Sequence, residues 1–151
     1  MYESVYESPI GRILIKADEN AVVYLGFDAA GRGSAKGNAV TDLCGSELDR
    51  YFKGNLREFA VPVSLSGTAF RLKAWDELKK IPYGCTISYK ELAERLGNVK
   101  AVRAVGGANH HNPVSIIVPC HRVIGADGSL TGYGGGLWRK EWLLEHEKRY
   151  M

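Results

Sequence analysis

Cysteine is scarce in this chain of 151 residues: Cys44, Cys85 and Cys120 form no even or closely spaced set. That excludes the disulfide framework of small secreted domains and fits free thiols in a reducing compartment. Long apolar runs are missing too, since no window approaches the ~20 residues of a membrane span. The opening MYESVYESPIG has neither the basic nor the apolar region of a secretory signal. The expectation is a cytoplasmic protein with no membrane partner. Histidine is sparse, and His110, His111, His121 and the cysteines match no zinc spacing, so no metal is expected. There is no internal repeat and no low-complexity tract. A net charge of +3 permits an anionic partner without demanding one.

What is present suffices for one or two small globular domains: 45% of residues are hydrophobic and 25% charged. The stretch SVYESPIGRILIKADENAVVYLGFD alternates β-branched and aromatic runs with the turn signals Ser8-Pro9, Gly11 and Asp18-Glu19-Asn20, which predicts two or three antiparallel strands. AAGRGSAKGN reads as a polar, Gly-rich loop. From Thr41, the spacing of Leu43, Leu48, Tyr51 and Phe52 predicts a short helix ending near Gly54. REFAVPVSLSG then reads as a strand or extended crossover. The predicted fold class is α/β (α+β): a small N-terminal antiparallel-sheet domain with a helix over residues 1–64, and a mainly helical domain over residues 65–151.

In the second half Thr68 is placed to cap a helix carrying Phe70, Ala74, Trp75 and Leu78 on one face. SYKELAERLGNVKAVRAVGGANHHNP opens on a Ser88-x-x-Glu91 capping box, turns at Gly97-Asn98 and starts a second helix near Lys100. This is a helix-turn-helix outline. LWRKEWLLEHEKR predicts a terminal helix. The second helix of the outline offers Ala101, Val102, Ala104, Gly106 and Gly107 around a single Arg103, almost nothing with which to read a major groove. Small residues suit a close approach to a narrow minor groove, with Arg103 free to enter the base stack. They equally suit a helix packed against its own domain, with Arg103 solvated.

The apolar run VSIIVP ends in Cys120-His121. An unperturbed thiol is only a few per cent ionised at neutral pH, so a reactive one needs a proton acceptor. Neighbours on a strand point to opposite faces, so the pair cooperates only at a corner, which Pro119 makes plausible. An imidazole base needs an orienting acceptor in turn. Glu147 qualifies, because it lies three and four residues after Leu144 and Leu143 and so faces inward. On the dipeptide alone, a buried small hydrophobe beside a satisfied core histidine is the commoner arrangement.

ISYKELA, AVRAVGGANHHNP, IIVPCHRVIG and GYGGGLWRKEWLLEHE, in this order and spacing, closely resemble the O6-alkylguanine-DNA alkyltransferases. The resemblance spans about residues 68 to 147; the first half matches in outline. It implies DNA repair by irreversible, single-turnover transfer of a methyl or other alkyl group from O6-alkylguanine in double-stranded DNA to Cys120, with O4-alkylthymine left open. It implies that His121 draws the thiol proton through a water, with Glu147 completing the relay. Tyr89 resembles the tyrosine that donates toward the purine, and Arg103 the finger that replaces the flipped nucleotide on a minor-groove helix. Asn112 resembles the buried asparagine that braces the cysteine turn. Val123, Tyr133 and Gly134 would line the base pocket, and Ala101, Val102, Ala104 and Gly106 would approach DNA. A monomer without cofactor is implied.

Gly134 stands where some members carry serine, so a side-chain hydroxyl is absent and the pocket has more room. The structural zinc of animal members has no ligand set here, because the first histidine is His110 and only Cys44 lies in the first half. The alternative is a non-enzymatic lesion-sensing DNA binder; such alkyltransferase-like proteins carry tryptophan where this chain has Cys120. A helix-turn-helix regulator comes third.

Overall fold

The computed structural model describes residues 1–27 and 36–151; most of the predicted Gly-rich loop lies outside the described residues. Strands β1 (Tyr2–Ser8), β2 (Gly11–Ala17) and β3 (Val22–Gly26) form an antiparallel sheet in that order. The hairpin between β1 and β2 closes at Ser8, whose Oγ accepts from the Ile10 amide and donates to the Gly11 carbonyl. Gly11 takes φ +117°, a conformation open to glycine. Between β2 and β3, Asp18 Oδ1 accepts from the Asn20 and Ala21 amides, an Asx turn.

Helix α1 (Ala39–Phe52) packs on β1 and β2. Asn38 caps it reciprocally with Thr41. Its buried stripe is Cys44, Leu48, Tyr51 and Phe52, whereas Leu43 is 42% exposed. The expected inward Leu43 is thus corrected: Cys44, four residues before Leu48, takes the buried position. Glu47 is also buried, and its carboxylate accepts from the Ala60 and Val61 amides, tying the crossover to α1. That crossover forms no strand of its own. Val63 bridges Val22 in parallel, and Val114 bridges Leu25 further along, so two pieces of extended chain cover the outer edge of β3.

The second half holds α2 (Ala69–Leu78), α3 (Tyr89–Arg95), α4 (Val102–His110) and α5 (Leu137–Arg149). Thr68 accepts from the Arg71 amide as expected. Ser88 accepts from the Glu91 amide, but the Glu91 carboxylate pairs with Arg95 one turn on, so only half of the expected capping box forms. Gly97 at φ +81° ends α3. The second helix begins at Val102 rather than Lys100, with Ala101 at the cap position. Trp75 Nε1 donates to the Ala108 carbonyl at 2.8 Å and fixes α2 against α4.

Two short segments escaped the hydrophobic pattern. Strands β4 (Ile87–Ser88) and β5 (Val123–Ile124) pair in parallel, two residues each, too short for a period to register. Their pairing sets the start of α3, at Tyr89, beside the turn that carries Cys120. One hydrophobic cluster then runs through both halves, from Ile13 and Ile15 past Tyr51 and Trp75 to Leu92, Val105 and Leu143. No helix among the described residues is long and apolar enough to cross a membrane.

Candidate active site

The approach to Cys120 is a chain of tight turns. Ile116, a β-branched residue, sits at φ +72°, and the Ile117 amide donates to the Ser115 carbonyl across it. This is a strained γ-turn. Pro119, at φ −82° and ψ 65°, forms the inverse γ-turn, closed by Cys120 N–H to the Val118 carbonyl. Asn112 holds the first turns from inside: its Nδ2 donates to the Val118 carbonyl at 2.7 Å and its Oδ1 accepts from the Val114 amide. Cys120, His121 and Arg122 then form a single 3-10 turn, the corner needed for adjacent side chains to act together.

His121 is fully buried, and its Nε2 lies 2.7 Å from Glu147 Oε2 on α5. Glu147 accepts on every side: from Tyr51 Oη, from Arg122 Nε and Nη2, and from the Gly84 amide. Burial alone would raise its pKa, but the charges and hydrogen bonds of His121 and Arg122 outweigh burial and hold the carboxyl well below the usual carboxylate range. An ionised carboxylate only accepts, so His121 carries its proton on Nε2. Nδ1, which has no protein hydrogen-bond partner among the described residues, then presents a lone pair. Burial lowers the pKa of His121, only partly offset by Glu147, so the ring is a neutral base at neutral pH. Burial raises the pKa of the Cys120 thiol, opposed by Asn112 and Lys140, and keeps it protonated at rest.

Cys120 opens on a cavity of about 380 Å³ that Asn109, Asn112, Tyr133 and Gly134 also line, together with Leu25 and Phe27 from the first half. Val123 is not on that wall; it is fully buried in β5, opposite Ile87. The expected contribution of Val123 to the base pocket is through its main chain, which its buried side chain leaves open. Tyr89 is near but engaged, its hydroxyl donating to the Thr131 carbonyl at 2.9 Å. Burial raises its pKa. A Cβ on Gly134 would meet only the His110 carbonyl oxygen, at 3.5 Å, an ordinary contact.

Sequence reasoning missed three residues here. Arg122 braces Glu147 and the Ile81 carbonyl. Tyr51 reaches Glu147 from α1. Lys140 is fully buried, with Nζ donating to the Thr131 carbonyl at 2.7 Å and to Tyr89 Oη at 3.4 Å. Burial lowers its pKa to about 8. Arg122 is hinted at by its place in the Pro-Cys-His-Arg motif, and Lys140 by helical spacing, since it lies three residues before Leu143 and seven before Glu147 on the buried face of α5.

On α4, Val105, Ala108 and Asn109 face the core while Val102, Arg103 and Ala104 are exposed. Gly106 and Gly107 face open space, with no atom within 4 Å of a Cβ built on either. Their smallness therefore answers no packing need of the domain itself. Among the described residues no group of three or more His, Cys, Asp or Glu side chains is arranged to hold a metal.

Comparison with known proteins gives the same frame. Residues 69–149 match the family model of the 6-O-methylguanine DNA methyltransferase DNA binding domain, and residues 1–65 that of the 6-O-methylguanine DNA methyltransferase ribonuclease-like domain. The chain is 46% identical to a methylated-DNA–protein-cysteine methyltransferase of Methanosarcina acetivorans, covering 97% of this chain and 98% of that protein. It is 47% identical to one of Mycobacterium leprae, over 96% and 91% of the two chains. The crystal structure of Mycobacterium tuberculosis OGT in complex with DNA superposes with a TM-score of 0.91 at 43% identity, covering 99% and 94%. This chain belongs to the 6-O-methylguanine DNA methyltransferase family.

Proposed function

We propose that this protein repairs alkylated DNA by moving the alkyl group of O6-alkylguanine onto Cys120, once per molecule. The observation that carries the reading is the buried relay: a carboxylate held ionised at Glu147, a neutral His121 oriented by it, and an Nδ1 without a protein hydrogen-bond partner among the described residues, one residue from a thiol that opens on a cavity. His121 Nδ1 takes the thiol proton through one water. The thiolate attacks the alkyl carbon, the C–O6 bond breaks, and its electron pair stays with the guanine. The base leaves protonated, so the thiol proton ends on the purine.

Tyr89 serves the leaving base: on lesion binding it exchanges the Thr131 carbonyl for a purine ring nitrogen. Lys140, 3.4 Å from the same oxygen, stabilises the charge that develops there. Asn112 is a positioning residue for the turn.

The target carbon is out of reach inside a duplex, so the base must leave the stack, at a cost of a few kcal/mol. Exposed Arg103 fills the gap from the minor groove, and Ala101, Val102, Ala104 and Gly106 let the backbone approach closely. The division at residues 64 and 65 separates a sheet domain that braces Glu147 through Tyr51 from a domain that binds DNA and reacts. A cytoplasmic monomer fits its three free cysteines. The test is intact mass after incubation with a methylated duplex: one added methyl group on Cys120 supports the reading. Unmodified protein bound to the lesion would favour a sensor instead.

A further inference from the structure

Asn109 lies on the last turn of α4, 2% exposed, and lines the cavity onto which Cys120 opens. Its Nδ2 donates to the Cys120 carbonyl at 3.2 Å. Its Oδ1 is buried with no hydrogen-bond partner among the described residues. An unsatisfied buried carbonyl oxygen is unfavourable, and an apolar residue of similar size would avoid it. It is retained at little net loss where a ligand supplies the missing donor.

The ligand's own chemistry narrows the donor. Alkylation at O6 fixes guanine in the form without an N1 proton, so N1, N3 and N7 only accept. The two N–H bonds of the 2-amino group are the only donors left on the base. That group lies on the same edge as O6, two ring positions away, so it is on the side of the base that faces Cys120. O4-alkylthymine has lost its N3 proton and presents no donor at all.

We propose that Asn109 Oδ1 accepts from the 2-amino group of the flipped base and so selects O6-alkylguanine over O4-alkylthymine. The inference rests on the alkyl-transfer reading above. Asn109 acts as a specificity residue: its Nδ2 stays on the Cys120 carbonyl, and only Oδ1 meets the base. Lesions without the amine leave that oxygen buried and unpaired, and therefore react more slowly.

Three duplexes decide it, carrying O6-methylguanine, O6-methylhypoxanthine, which lacks only the 2-amino group, or O4-methylthymine. Single-turnover alkylation of Cys120 is followed by intact mass. We expect the wild-type protein to react about tenfold faster with O6-methylguanine than with O6-methylhypoxanthine, the worth of one buried hydrogen bond. In Asn109→Leu the ratio should collapse to within about twofold, while Asn109→Asp, which keeps an acceptor, should retain a preference for the amine. Wild-type rates that are equal on the two purines overturn the proposal, whether or not either variant folds. So does an unchanged ratio in Asn109→Leu, or a slowing of that variant equal on both purines, which would reduce Asn109 to a brace for Cys120. No alkylation on any of the three duplexes would instead defeat the transfer reading itself.

Discussion

Tyr51 donates its hydroxyl to Glu147 Oε2 at 2.7 Å, across 96 residues of sequence and from the first half of the chain into the second. The same oxygen receives His121 Nε2. With Arg122 Nη2, three donors share the charge of this one carboxylate oxygen, so each limits how strongly that oxygen holds the others' protons. Removing the phenol in Tyr51→Phe should leave more negative charge facing His121 and raise the imidazole's pKa. The acid limb of the transfer rate should therefore move to higher pH, with a loss of stability of about 1–2 kcal/mol. A rate profile recorded across pH checks the first and thermal melting the second. An unmoved limb would mean that Tyr51 is only a structural strut.

The relay also sets the pH dependence of folding. His121 is lowered from 6.5, by burial above all, and Glu147 is held below 4.5 despite burial, by His121 and Arg122. In both cases the unfolded chain binds the proton first. Stability is thus complete above the unfolded value and lost as pH falls through the window down to the folded one. Melting temperature should begin to fall below about pH 6.5 and fall more steeply below about pH 4.5. His121→Asn should flatten the first part of that decline.

Lys140 illustrates stability given up at a reactive site. Its pKa falls from 10.5 to about 8 on burial, so the charged form at neutral pH opposes folding, and stability should rise as pH climbs from about 8 toward 10.5. Lys140→Met should raise stability at neutral pH by about 1–3 kcal/mol, since Thr131 keeps Tyr89 as a donor. It should also slow transfer at least tenfold, about 1.4 kcal/mol of transition-state stabilisation. A variant both less stable and fully active would contradict the role assigned to this amine.

Cys120→Ser should abolish transfer while sparing lesion binding, because a serine hydroxyl is too weak an acid for His121 to ionise. Cys44 is buried with its pKa pushed up to about 12 and Cys85 lies exposed away from the cavity, so alanine at either should leave labelling intact. Arg103→Ala should impair repair of duplex far more than reaction with free benzylguanine, which needs no flipping. Equal loss on both substrates would remove the finger role.

Alkylation should lower stability, and larger groups should lower it more. Cys120 is 4% exposed in a turn held by Asn112 and strained at Ile116, and overpacking such a site costs about 1–3 kcal/mol. Gly134 gives the adduct room on the cavity wall. Gly134→Ser should fold normally, its Cβ meeting only the His110 carbonyl oxygen, and should show the larger drop in melting temperature on benzylation. A rise on alkylation in either background would end this account.

Much of the architecture was written locally. Thr68 and Ser88 announce their helices, LWRKEWLLEHEKR coincides with α5, and the spacing of Glu147 behind Leu143 and Leu144 places its carboxylate inward, because a helix repeats every 3.6 residues whatever surrounds it. Pro-Cys-His-Arg between Asn112 and the Gly-rich loop carried the family and the reacting thiol. Other features depended on partners far along the chain. Leu43 turned outward because the sheet lies under Cys44. Lys140 became a buried amine because Tyr89 and the Thr131 carbonyl close around it, and Glu147 is held ionised at neutral pH because His121 and Arg122 face it, with Tyr51 and the Gly84 amide as further donors. Periodicity tells which side chains point inward; only the packed structure decides which donors and acceptors they meet there, and so whether a buried group is a brace, a base or an open acceptor such as Asn109 Oδ1.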